Sequence, residues 1–131
     1  MVILKDIHDS GTYIEYNVKN HYIDEMEGSQ LFFRYIHQDK TVYELNFGWT
    51  NLTVHSFISM LKEFPLEEYD GYFSHFEKYL EVKWDYIAKE DYYNIHFTES
   101  DMLIIIKAKK NDLILFGESF EKEWIESPVI E

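Results

Sequence analysis

Residues 41–47 read Thr41-Val42-Tyr43-Glu44-Leu45-Asn46-Phe47, and a few residues later the apolar positions are Val54, Phe57, Ile58, Leu61 and Phe64. The first run alternates, with Tyr43, Leu45 and Phe47 against Glu44 and Asn46, which is the period of a half-buried strand. The second recurs at three- and four-residue spacing, the period of an amphipathic helix. Asn51 or Thr53 is the expected N-cap and Pro65 the stop. A strand running into a helix whose stripe lies on one face of the sheet predicts an α+β chain.

The period of two extends in both directions. Ile3 to Ile7 reads as a strand, Asp9-Ser10-Gly11 as a turn, and Thr12 to Val18 as a strand with Ile14, Tyr16 and Val18 on one face. A polar stretch, Asp24 to Ser29, precedes Leu31 to His37, and Gln38-Asp39-Lys40 is a short hairpin loop. Residues 66 to 79 fit two patterns. Tyr69, Phe73, Phe76 and Leu80 are helically spaced, but Asp70-Gly71 is a turn dipeptide. A short helix from Tyr72 to Tyr79 is the favoured reading. Leu80, Val82, Trp84 and Tyr86 then alternate, Lys89-Glu90-Asp91 turns, and Tyr93, Ile95 and Phe97 alternate again. After Glu99-Ser100-Asp101, the strand Met102 to Lys109 opens on a continuous apolar run, Met102 to Ile106, which predicts a central strand buried on both faces. Lys110-Asn111-Asp112 turns into a last strand, Leu113 to Phe116, and Ser119 to Glu126 spaces Phe120, Trp124 and Ile125 as a short helix or ordered tail.

The expected fold is a curved antiparallel sheet of about seven or eight strands, with one main helix (51–64) and one or two short helices. A barrel-like or two-sheet arrangement is its main variant. One domain over 1–131 is the expectation at this length.

Twenty-five Asp and Glu face twelve Lys and Arg, for a net charge of −13, in a chain that is 46% hydrophobic and 18% aromatic. Disorder needs low hydrophobicity together with high charge, so this chain is expected to fold and to carry a strongly negative surface. The acidity is uneven: residues 1–65 hold 9 acidic residues and 66–131 hold 16. Such charge repels nucleic acid and anionic membranes, and steers basic partners inward. With no cysteine, a disulfide framework, a thiolate zinc site and a cysteine nucleophile are excluded. The opening Met1-Val2-Ile3-Leu4-Lys5-Asp6 meets charge too soon for a signal peptide, and no apolar run reaches membrane-spanning length, so a cytoplasmic protein is expected.

No chemical motif accompanies the charge. GxSxG, GxGxxG and a Gly-rich phosphate loop are absent, and no catalytic residue is assigned. Asp24-Glu25-Met26-Glu27-Gly28-Ser29 lacks the remaining ligands of a calcium loop. The six histidines show no HExxH or HxH spacing, so no metal and no cofactor are expected. His55 and His96 would approach each other only if the helix packs on that strand's face. Most aromatics are explained as core, but eleven tyrosines exceed what a core accommodates, because each buried hydroxyl needs a partner.

The surplus aromatics lie beside carboxylates. The candidate partner-binding residues are Glu67, Glu68, Tyr69, Asp70 and Tyr72, then Glu90, Asp91 and Tyr92, then Glu118, Glu121, Glu123 and Trp124. Rings supply contact area and carboxylates catch Arg or Lys. In size, acidity and aromatic content the chain resembles bacterial immunity proteins that neutralise nucleases or other toxins, and phage-encoded inhibitors that mimic nucleic-acid charge. The likeness is of general character and rests on no motif. It implies a monomer or homodimer that binds a basic protein, a toxin or nucleic-acid-binding enzyme, and does not bind nucleic acid directly. A ligand-binding or enzymatic domain with its site in the mouth of the curved sheet is the alternative. A structural module pairing through strand edges is a third reading.

Overall fold

The long second strand, β2 (Asp9–Tyr22), sets the architecture because its two faces differ so sharply. Ile14 and Tyr16 are fully buried and Val18 nearly so, while Tyr13, Asn17 and Lys19 point outward. The structure is a computed structural model that describes residues 1–24, 26–65, 70–73 and 79–130. Among these residues β1 (Val2–Asp6), β2, β3 (Gly28–His37) and β4 (Lys40–Thr50) form an antiparallel meander. The two-residue turn between β3 and β4, Gln38-Asp39, has positive φ at both positions, as the right-handed twist of a hairpin demands. A short strand β9 (Val129–Ile130) joins β2 in parallel.

A second antiparallel sheet contains β5 (Tyr72–Phe73), β6 (Glu81–Ile87), β7 (Tyr92–Glu99) and β8 (Met102–Ala108), in that order. The α+β class and the antiparallel pairing are as the sequence predicts, and the strands divide into two sheets, the variant. Two helices, α1 (Asn51–Lys62) and α2 (Lys110–Glu126), complete the described elements. A shared core draws on both sheets and both helices. The Tyr16 ring sits at its centre, within 6.4 Å of Phe33, Phe47, Trp49, Phe57, Phe116 and Phe120. Between the helices and the second sheet the core leaves a cavity of only about 10 Å³.

Four local expectations are corrected. The N-cap of α1 is Thr50, whose hydroxyl accepts from the Thr53 amide, rather than Asn51 or Thr53. Asn51 instead turns inward, 1% exposed, and its amide donates to the Asp24 carbonyl at 2.9 Å. Tyr72 and Phe73 are not helical: they pair with Lys83 and Val82 as β5, and 74–78 lie outside the described residues. Strand β8 is terminal in its sheet, not central. Its Ile104 and Ile106 are buried, while Leu103 and Ile105 are 58% and 41% exposed on the outer face. Finally, no strand runs from Leu113 to Phe116. These residues belong to the 17-residue helix α2, whose buried stripe is Leu113, Phe116, Gly117 and Phe120.

The sheets are fastened where β1 meets β8. The Ile7 amide donates to the Lys107 carbonyl at 2.9 Å, and the Lys107 amide donates to Asp6 Oδ2 at 3.0 Å. One backbone bond and one carboxylate therefore stand in for a ladder. Beyond Ala108 the chain leaves the edge of β1 and enters α2.

Candidate functional site

Helix α2 begins where a carboxylate can hold it: Asp112, in the first turn, accepts from the Lys109 amide at 3.0 Å. Its buried stripe packs inward against α1 and the sheets. The opposite stripe carries Leu115, Glu118, Lys122 and Ile125, at helical spacing on the solvent side. Leu115 and Ile125 are 60% and 62% exposed, among several large apolar side chains that reach the surface. A groove flanks the helix on each side. One, of about 420 Å³, is walled by residues 3–6 of the first strand, by Ile7 just after it, and by Asp112, Leu115, Phe116 and Ser119. The other, of about 240 Å³, lies against α1 and is lined by His55, Ile58, Ser59, Glu121, Trp124 and Ile125. Helix α2 is thus a ridge with an exposed apolar residue overlooking each groove.

Of the four candidate residues on this helix, only Glu118 is exposed and carries no ion pair among the described residues. Glu121 holds Lys62 at 2.7 Å. That hydrogen bond, with the field of Glu121, Glu118 and Glu63, keeps the lysine above its ordinary pKa. Glu123 accepts from the Val18 amide at 2.8 Å and pairs with the Met1 ammonium, so it fastens the helix to the first two strands. Trp124 is half-buried and its indole N–H donates to Ser29 Oγ at 2.7 Å.

A polar chain behind Trp124 was not visible in the sequence. Ser29 Oγ donates to Asn51 Oδ1 at 2.7 Å, and His21 Nδ1 lies 2.6 Å from Ser127 Oγ. The His21 ring rests on the indole at 4.3 Å, and His55 meets it edge-on at 4.9 Å. Burial holds the His21 imidazole below its ordinary pKa. Ser127 lies 106 residues from His21, so no local spacing signals the pair. His96 is not near His55: its Nε2 lies 2.8 Å from Asp85 Oδ1 on the outer face of the second sheet.

The other candidates divide. Glu90 and Asp91 are exposed in the β6–β7 turn, and Asp91 accepts from the Tyr86 hydroxyl at 2.6 Å. That hydrogen bond, then burial and the Asp91 charge, raises the Tyr86 pKa. Tyr92 is a correction: it is 7% exposed and sits edge-on to His8, so it presents no ring to a partner. Its neighbours Tyr86 and Tyr93 do, lining a groove of about 280 Å³ with Asp91, Lys109, Lys110 and Asn111. The structure therefore brings the 90–91 turn to the start of α2. Asp70 and Tyr72 belong to the far edge of the second sheet, where Lys83 Nζ lies 5.2 Å over the Tyr72 ring. Glu67, Glu68 and Tyr69 lie outside the described residues.

Two of the described Lys and Arg side chains are spent in internal ion pairs. Arg34 bridges the buried Glu15 at 3.5 Å and Glu44 at 3.0 Å, and Lys62 is taken by Glu121. Asp70, Glu90, Glu118 and Glu126 are exposed and carry no ion pair among the described residues. Among the described residues no three acidic or imidazole groups converge on a metal position, and no helix is long and apolar enough to cross a membrane. No family model, curated protein or solved structure matches the chain.

Proposed function

We propose that this protein binds and occludes a basic protein, such as a nuclease, and that α2 is the contact ridge. The observation that carries this reading is the exposure of Leu115 and Ile125, at 60% and 62%, on the stripe that also bears Glu118. Covering these side chains with a partner would remove apolar surface from water. Glu118 shares that exposed stripe and Glu126 follows Ile125, so exposed carboxylates accompany the apolar side chains along the helix. They would occupy the positions at which a nuclease holds substrate phosphates, and the net charge of −13 would steer the encounter.

The test is a binding experiment followed by kinetics. A basic protein from the native host should be retained on the immobilised protein and lose its activity in the complex. Its association should slow about tenfold as ionic strength rises from about 0.01 to about 0.15 M. An association rate indifferent to salt, or a bound partner that keeps full activity, overturns the proposal.

A further inference from the structure

The groove between β1 and α2 has one wall that is itself a strand edge. Five consecutive residues line it, Ile3 to Asp6 of β1 and the following Ile7, and β1 is the terminal strand of its sheet. Among the described residues the outward edge is bonded at one end, where Ile7 donates to the Lys107 carbonyl and the Asp6 carboxylate accepts from the Lys107 amide. There β8 ends and the chain turns away into α2, so the edge that β8 began to pair is left open from Ile3 to Lys5. At the other end Glu123 of α2 meets the Met1 ammonium and the Val18 amide. Helix and strand thus run antiparallel along the groove. Five strand residues span roughly 16 Å, and α2 from Asp112 to Glu123 spans about the same. A strand edge facing a helix wall is the arrangement in which an extended segment adds to a sheet while its side chains meet the helix.

Resting on the reading of a basic partner, we infer that this groove captures an extended, basic segment of that partner by strand addition to β1. Main-chain bonds to the edge supply affinity for any extended chain. Alternate side chains of the segment meet Leu115, Phe116 and Ser119. Asp6 and Asp112 in the walls and the exposed Glu118 favour Lys or Arg. Among the described residues Lys5 is the one cation lining the groove. A second copy of this chain is disfavoured as the occupant, because it brings the same net charge of −13.

The probe is a short alternating Lys-Val peptide added to the isotope-labelled full chain. Amide resonances of residues 3–7 and 112–119 should shift, and exchange at the outward amides of β1 should slow. The same peptide N-methylated on alternate residues keeps its charge but cannot extend the ladder, and should bind about tenfold more weakly. Leu115→Ser should weaken the peptide several-fold, and Leu103→Ser, on the outer face of the second sheet, should not. Equal binding of the N-methylated peptide overturns strand addition. So do shifts confined to other surfaces, or β1 amides already protected by self-association. If a basic host protein still associates in a salt-dependent way while the β1 amides stay unmoved, the groove fails and the acidic ridge stands. If the peptide enters the groove but no basic host protein is found, the groove stands and the partner reading fails.

Discussion

A methyl group at Gly117 would lie 2.6 Å from Leu61 Cβ and 3.1 Å from the Lys62 amide nitrogen, so the two helices cross where α2 has no side chain. Two effects then compete in Gly117→Ala. Helix propensity alone favours alanine by about 1 kcal/mol. Overpacking against a buried leucine and a backbone atom costs about 1–3 kcal/mol. The clash should win, and urea denaturation should show the variant less stable by about 1 kcal/mol or more. A stabilised variant would mean that the helices part without cost.

Tyr16 carries the one buried side-chain polar atom without a hydrogen-bond partner among the described residues. Burial pushes its phenol pKa far up, so the hydroxyl stays neutral. An unsatisfied buried hydroxyl costs about 1–3 kcal/mol, whereas the ring itself is held by six aromatic neighbours. Tyr16→Phe is therefore expected to stabilise by about 1 kcal/mol, measured as a raised urea midpoint at unchanged slope. A loss of stability would reveal a partner for the hydroxyl.

His21 should make folding weaken in mild acid. Its folded pKa lies below the unfolded value of about 6.5, because burial disfavours the imidazolium. Below that pH the unfolded chain binds the proton more readily, so the contribution is full above about 6.5 and declines as pH falls toward the folded value. Subtracting the stability profile of His21→Gln from that of the wild type isolates this component from the many carboxylates. A difference that is flat between pH 7 and 5 would place the imidazole in water.

Ile125→Ser and Glu118→Gln separate contact from steering. Both side chains are exposed, so stability should stay within about 0.5 kcal/mol. Ile125→Ser should speed dissociation from the basic partner about tenfold, whereas Glu118→Gln should mainly slow association and reduce its salt dependence. Equal kinetics for all three proteins would move the contact off α2.

The strands were readable because alternation reports one covered face, and Tyr43, Leu45 and Phe47 are as the pattern predicts, half-buried or buried. The errors share a cause. Leu113 to Phe116 is a short apolar run, which a strand and a buried helical turn present alike, and the Gly117 that follows serves a helix crossing. Met102 to Ile106 reads as doubly buried because nothing in a sequence says that one apolar face stays uncovered. At the candidate surface, Glu118 and the 90–91 turn were legible as solvated charge. Leu115 and Ile125 were not, since their exposure depends on which face of α2 the core takes. Glu121 and Glu123 looked equally available, but their partners, Lys62 and Val18, are 59 and 105 residues distant.

The carboxylate of Asp6 receives the Lys107 amide across 101 residues of chain. During synthesis the meander from β1 to β4 can pair through neighbouring segments alone. Its inner face, with Tyr16 at the centre, must then wait for Phe116 and Phe120 to be made. Closing so long a loop is slow compared with forming a hairpin. The half-built sheet is consequently a state with an uncovered aromatic face and open edges, and with 8 acidic against 4 basic residues in 1–50 it carries little of the charge that later keeps copies apart.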